Sequence, residues 1–184
     1  MNILAFAASS STTSINKALI GYGKHLLEGG LVANAAVEVI DLNDYEMPIY
    51  SIDQEKADGI HPLARDFYDR IGRADALLIS FAEHNGFYTA AYKNIFDWAS
   101  RIDKRVYQGK PTVMLSTSTG PRGGSNVLAT AVASARFYGN DVKASLSIPS
   151  FRQNFDVESR SLSDPTLDAQ FRATLAAFSV RSSP

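Results

Sequence analysis

The sequence predicts an α/β protein, a three-layer sandwich with helices on both faces of a five-stranded parallel sheet. Three observations carry this expectation. Residues 3–8 and 76–81 are continuous apolar runs, as expected of strands buried on both faces. Five strand-like segments alternate with segments of helical spacing, which calls for parallel strands joined by right-handed crossovers. The length of 184 residues suits one domain able to bury a real core.

The elements follow in order. After the strand at residues 3–8, Ile15, Leu19, Tyr22, Leu26 and Leu27 lie at helical spacing, and Gly29-Gly30 ends that helix. Residues 37–42 alternate more, as a strand nearer a sheet edge does. Residues 43–59 read as a long polar connection containing Met47-Pro48-Ile49-Tyr50, and irregular connections of this length are often functional. Pro62 suits the first position of a helix with Leu63, Phe67, Ile71 and Ala74 on one face. The strand at residues 76–81 leads through a loop at 82–87 into a helix with Ala91, Ile95, Ala99 and Ile102 inside. Residues 112–115 form a fourth strand, and residues 116–125 a loop dense in Ser, Thr and Gly. Leu128, Ala131, Val132 and Ala135 mark the next helix, which ends near Gly139-Asn140. Residues 142–148 make the fifth strand, and Leu167, Phe171, Leu175 and Phe178 a closing helix. No repeat or linker interrupts the chain, so residues 1–184 are expected to form a single domain.

Composition narrows the function classes. A net charge of −1 gives no electrostatic basis for nucleic-acid binding. The absence of cysteine excludes disulfides, thiolate catalysis and cysteine-ligated iron–sulfur clusters. His25, His61 and His84 sit on separate segments, and no metal site is expected. Met1 leads straight into a strand, and no run approaches the roughly 18 apolar residues of a membrane span. The expectation is a soluble cytoplasmic protein with no membrane partner.

Three loops carry the chemistry. Residues 9–16, Ser-Ser-Ser-Thr-Thr-Ser-Ile-Asn, join a buried strand to a helix start. Free backbone N–H groups and the helix dipole would favour an anion there. The turn lacks both the Walker lysine and the G-x-G-x-x-G spacing, so it suits a phosphate ester that is held rather than transferred. The Asn16 amide and the hydroxyls are expected to donate to phosphate oxygens. Ser14 could equally be a simple helix cap. The second loop joins Glu83, His84 and Asn85 to an Asn-Gly turn at Gly86 and Phe87, where a flat heteroaromatic ring could lie against the backbone. Glu83 could instead sit in a solvated turn near a helix start. In the third loop Gly120, Gly123 and Gly124 allow close backbone approach or merely positive φ. In a flavodoxin-like strand order, 2-1-3-4-5, these loops converge on a crevice between strands one and three. Periodicity does not select that order; it is a fold-level expectation.

The chain resembles the NADPH-dependent FMN reductase family, which includes quinone, chromate and azo-dye reductases. The family's G-S-x-R-x-x-S-x-N opening is similar to Ala8, Ser9, Ser11, Ser14 and Asn16, with Ala8 for the family Gly and Ser11 for the family Arg. P-E-Y-N followed by K-N-x-x-D-W resembles Ala82-Glu83-His84-Asn85 and Lys93-Asn94-Ile95-Phe96-Asp97-Trp98, with Ala82 and His84 as departures. The glycine loop, residues 39–42 with 47–50, and Asn154-Phe155-Asp156 are similar too. The resemblance implies non-covalent FMN, its phosphate held at Ser9, Ser11, Ser14, Ile15 and Asn16. The ring would meet Glu83, His84, Asn85, Gly86 and Phe87 on one side and Ser116, Ser118, Gly120, Gly123 and Gly124 on the other. Asn94, Asp97 and Trp98 read as scaffold.

It further implies an oxidoreductase that passes hydride from NAD(P)H through FMN to free flavin, quinones or similar small acceptors. No protein side chain is expected to be catalytic, since the flavin carries the reaction. Homodimers or homotetramers with sites at subunit borders are expected. Ser11 in place of arginine leaves the choice between NADPH and NADH open. Two alternatives stand beside this: a flavodoxin-like electron carrier without turnover, disfavoured by the near-neutral charge, and a flavin-free interaction module.

Overall fold

The computed structural model describes residues 1–179. Five parallel strands, β1 (Asn2–Ala8), β2 (Ala36–Ile40), β3 (Ala76–Phe81), β4 (Pro111–Thr117) and β5 (Asp141–Ile148), form one sheet in the order β2-β1-β3-β4-β5. β1 and β3 are hydrogen-bonded neighbours from Ile3–Ala76 to Ala8–Phe81. Because β2 and β4 follow β1 and β3 on opposite sides, the connections diverge there and open a crevice at their carboxyl ends.

Strand alternation explains both faces. Leu4, Phe6, Leu77, Ile79 and Met114 point to α3 (Pro62–Arg73), α4 (Ala90–Ala99) and α5 (Ser125–Ala135). Their neighbours Ile3, Ala5, Ala7, Leu78 and Val113 point to α1 (Ile15–Leu26) and α7 (Pro165–Ala176). Both faces of β1 and β3 are thus dry, which is why their sequences show no alternation. Removing a ring such as the fully buried Phe6 would cost about 3–5 kcal/mol. Gly23 lets α1 approach the sheet: a Cβ there would lie 3.1 Å from Leu78 Cδ2.

Several expected boundaries differ. β2 stops at Ile40, and Leu42, 2% exposed, opens a 3-10 turn, Leu42–Tyr45. The connection at 43–59 is not irregular throughout, since it also holds α2 (Ile52–Asp58), capped by Ser51. Its remaining strap is clipped to α4. Asn94 Nδ2 donates to the carbonyls of Met47 and Pro48 at 3.1 Å, its Oδ1 accepts from Tyr50 N–H at 2.8 Å, and Trp98 Nε1 donates to Pro48 O at 2.8 Å. Lys93 and Asp97 pair along the same helix. Ile102 lies beyond the end of α4, and Val132 is 37% exposed on the outer side of α5. After β5 come a short helix, α6 (Phe151–Asn154), and a small hairpin, β6 (Phe155–Asp156) with β7 (Ser161–Leu162), neither of which periodicity announced. No helix among the described residues is long and apolar enough to cross a membrane.

Candidate active site

The three loops meet at the carboxyl edge of β1, β3 and β4. The first begins at Ser9, which is buried and whose N–H donates to Ala7 O. Ser14 is the N-cap of α1, its Oγ accepting from Lys17 N–H at 3.4 Å. The N–H groups of Ile15 and Asn16 have no acceptor among the described residues, and neither do the exposed hydroxyls of Ser10, Ser11, Thr12 and Thr13 have partners there. Capping and open donors therefore coexist: the cap takes one N–H and leaves two beside a row of hydroxyls. The adjacent cation is committed elsewhere, as Lys17 Nζ pairs with Asp41 at the end of β2, 2.5 Å away.

Asn16 differs from expectation. Its side chain, 2% exposed, turns into the sheet: Oδ1 accepts from Ser80 Oγ at 2.7 Å and Thr117 N–H at 3.2 Å, and Nδ2 donates to Thr117 O at 3.3 Å. Each polar atom of the amide has an internal partner and the side chain is buried, so what Asn16 presents to the loop is its backbone N–H.

The second loop is a two-residue hairpin turn. His84 and Phe87 exchange backbone hydrogen bonds at 3.0 Å, with φ of 53° at Asn85 and 80° at Gly86. A type I′ turn needs both central residues at positive φ, which is why Asn-Gly stands there. His84, Asn85 and Phe87 are exposed, and a Cβ on Gly86 would meet nothing nearer than 3.8 Å. Glu83 reaches away from solvent: its Oε2 accepts from Val127 N–H at 3.0 Å, in the first turn of α5. The residue preceding α5 is Gly124, which has no side chain to cap the helix, and the carboxylate of another loop does so instead.

The glycines of the third loop divide into two kinds. Gly123 (φ 58°) and Gly124 (φ 76°) are demanded by backbone and crowding; a Cβ on Gly123 would fall 2.6 Å from Ile148 O. Gly120 is open, with only Ser118 Oγ near, at 3.9 Å. Ser116 is buried and donates to Gly123 O at 2.8 Å, so it shapes the loop and presents no hydroxyl outward. Ser150 N–H and Phe151 N–H donate to Gly120 O and Ser118 O, fastening the loop to the end of β5.

Residues inside and outside the expected set tie these loops together. Thr89 caps α4 and donates its hydroxyl to Ala8 O at 3.0 Å, joining the second loop to the first. Glu83 joins the second to the third, and Asn16 joins the first to Thr117 in the third. Thr117 Oγ1 donates to Ile148 O, and Ser147 Oγ to Gly123 O. The signal for Ser80 and Thr117 was present: a polar residue at the end of an otherwise apolar buried run has to find a partner. Thr89, just ahead of an apolar-periodic segment, carried the usual N-cap signature.

A sequence model of the NADPH-dependent FMN reductase family matches residues 1–151. The chain belongs to that family. It is 31% identical over 120 residues to an NAD(P)H-dependent FMN reductase of Pseudomonas aeruginosa, across 65% of this chain and 61% of that protein. It is 30% identical over 124 residues to an NADPH:quinone oxidoreductase of Arabidopsis thaliana, across 67% of this chain and 61% of the relative. The chain thus matches about three-fifths of the length of these curated relatives. Among solved structures, the flavoenzyme NAD(P)H:(acceptor) oxidoreductase FerB of Paracoccus denitrificans superposes with a TM-score of 0.79 at 23% identity, covering 97% of this chain and 94% of that one. A flavodoxin of Pseudomonas aeruginosa superposes with a TM-score of 0.54 at 14% identity, covering 95% of this chain and 99% of the other. At these identities the two structures speak for the flavodoxin-like fold.

Proposed function

We propose that this protein is an FMN-dependent NAD(P)H oxidoreductase that reduces quinones, free flavin or similar small acceptors. The observation that carries the reading is the cross-tied rim: three loops at the switch point, one with two unpaired helix N–H groups beside free hydroxyls, two with open glycine backbone. That donor set fits FMN. A phosphate ester accepts from the N–H groups of Ile15 and Asn16 and from the Ser11 hydroxyl, in the positive field of α1. Ser9 and Ser14 hold that turn in shape. Gly86 and Gly120 leave room for a flat ring between the second and third loops, with Asn85, His84, Phe87 and Ser118 around it. Glu83, Ser116, Gly123 and Gly124 support the ring's surroundings from below. When bound, the flavin supplies two-electron chemistry through its ring nitrogen and carbon system. The protein's part is placement, and no acid–base pair is assembled among these side chains.

The proposal includes a homodimer. Phe87, 46% exposed, lines a cavity of about 190 Å³ between α4 and α5, walled by Tyr88, Phe96, Tyr107 and Tyr138, and Phe137, 70% exposed, stands just beyond the end of α5. Burial pushes the phenols of Tyr92 and Tyr107 up, and their hydroxyls bond one another at 2.6 Å, so this floor stays neutral and self-satisfied. Phe87 belongs to the second loop, so a partner covering this face would also close the ring side of the site.

Purified protein should be yellow, release FMN on denaturation, and oxidise NAD(P)H when a quinone is added. Ser14→Asp is the sharper test, because aspartate is as good an N-cap as serine and leaves α1 intact. Its carboxylate would stand against the phosphate, and FMN affinity should fall at least ~10-fold, or about 1.4 kcal/mol, with an unchanged melting temperature. Unchanged affinity would remove the first loop from the phosphate site. A yellow protein without NAD(P)H turnover would make it a carrier instead.

A further inference from the structure

A groove of about 590 Å³ lies between α1 and the β6–β7 hairpin, outside the three loops. That is within the roughly 300–1,000 Å³ of small-molecule sites. Phe151 and Phe155, stacked at 4.5 Å, form its floor, and Val157, 77% exposed, its outer lip. Lys17, His25 and Arg160 line it, and no carboxylate among the described residues does. Lys17 shares its charge with Asp41, whereas neither Arg160 nor His25 has an ion pair among the described residues. Arg160 sits at φ 53° in a turn braced by Asp156, whose carboxylate accepts from Glu158 N–H at 2.9 Å and Ser159 Oγ at 2.8 Å.

Gly21 supplies an independent observation. It lies inside α1, where glycine is the least favourable residue after proline. Two residues on, Gly23 is required by close packing on Leu78, but a Cβ on Gly21 would meet nothing within 4 Å. Packing and backbone give no reason for this glycine; its effect is to keep the groove open.

The groove also adjoins the candidate flavin site at two points. Lys17 follows the first loop directly, and Phe151 N–H donates to Ser118 O of the third loop at 3.0 Å. The first loop, residues 9–16, holds no Lys or Arg, so positive charge for a second phosphorylated ligand has to come from elsewhere. We infer that this groove receives the adenosine-phosphate half of the pyridine nucleotide, its phosphates against Arg160, His25 and Lys17 and its base along the Gly21 face of α1. Uncharged quinones would leave those cations unanswered, whereas a nucleotide brings both anion and flat apolar body. This inference rests on the reductase reading above.

Titrating the FMN-loaded protein with adenosine 2′,5′-bisphosphate by isothermal calorimetry reads the groove without turnover and with the first loop occupied. The unmodified protein should bind it, and Gly21→Leu and Arg160→Glu should each weaken binding at least ~10-fold. FMN affinity should stay within about twofold in both variants. No binding to the unmodified protein, or undiminished binding in either folded variant, overturns the inference. Should Gly21→Leu fail to fold, Arg160→Glu, on an exposed turn, decides alone. Failure of the unmodified protein to take up FMN would instead overturn the reductase reading, and the same titration of the FMN-free protein would still report on the groove.

Discussion

Asn16 shows how a single amide can belong to a binding loop without touching what the loop binds. Its three hydrogen bonds hold the first turn of α1 against β3 and β4, and through them set the direction of the two open N–H groups. Asn16→Leu keeps the branched shape and removes the partners. Ser80 Oγ and Thr117 N–H would then be buried without acceptors, costing about 1–3 kcal/mol each. Urea unfolding should show that loss as a lower midpoint at unchanged slope, and FMN should be released more readily because the loop has shifted. A midpoint equal to that of the unmodified protein would mean that the amide network contributes nothing. The inward turn of Asn16 was legible from helix phase: it shares a face with Leu19, Ile20 and Gly23, all buried. Ile15, the first apolar residue of the run, masks this phase, because it is only half-buried while its polar neighbour goes inside. Serine hydroxyls offered no comparable phase signal, since outside a helix or strand a side chain's direction is set by turns that composition does not encode.

At the scale of elements, the strap after β2 depends on α4 rather than on its own contacts. Between the 3-10 turn and α2, its backbone groups at Met47, Pro48 and Tyr50 are satisfied by Asn94 and Trp98, and Tyr50 packs edge-on to the indole at 5.2 Å. Arg101 adds a cation over the Tyr50 ring and an ion pair to Glu55 at 2.9 Å. Asn94→Ala removes three of these hydrogen bonds at once without opening the core. Amide hydrogen exchange should accelerate at Tyr50 and its neighbours by at least ~10-fold while β1 and β3 keep their protection. Acceleration spread evenly over the sheet would show that α4 itself had been loosened and that the strap has no separate stability. Asn94 and Trp98 were readable as scaffold from the family motif, but their partner was not. A residue 44 positions upstream leaves no periodic trace, and the short α2 and the 3-10 turn are too brief for a hydrophobic period to emerge.

At the scale of the whole molecule, β1 and β3 were the most legible parts, because burial on both faces writes itself into the sequence as an unbroken apolar run. The strand order followed from fold-level rules and is the one observed. The α6 and β6–β7 additions were not legible, being too short for periodicity, and they form one wall of the groove beside α1. Quaternary structure stands further still from the sequence, since an exposed ring and an interface ring look alike in it. Phe137 provides the discriminating test. It is 70% exposed and carries the Arg136 guanidinium over its ring at 5.4 Å. Phe137→Glu should therefore leave folding unchanged, whereas in a dimer built on the α4–α5 face it would bring two carboxylates into or beside an apolar contact. Sedimentation velocity at micromolar concentration should find the unmodified protein dimeric and the variant shifted toward monomer, its dissociation constant raised at least ~10-fold, about 1.4 kcal/mol. Since Phe87 lies on both the dimer face and the second loop, FMN should also dissociate faster from the variant, even though Phe137 is not itself among the flavin loops. Equal sedimentation of the two proteins would exclude this face as the interface, and a monomeric unmodified protein would mean that the second loop closes over its ring from one chain alone.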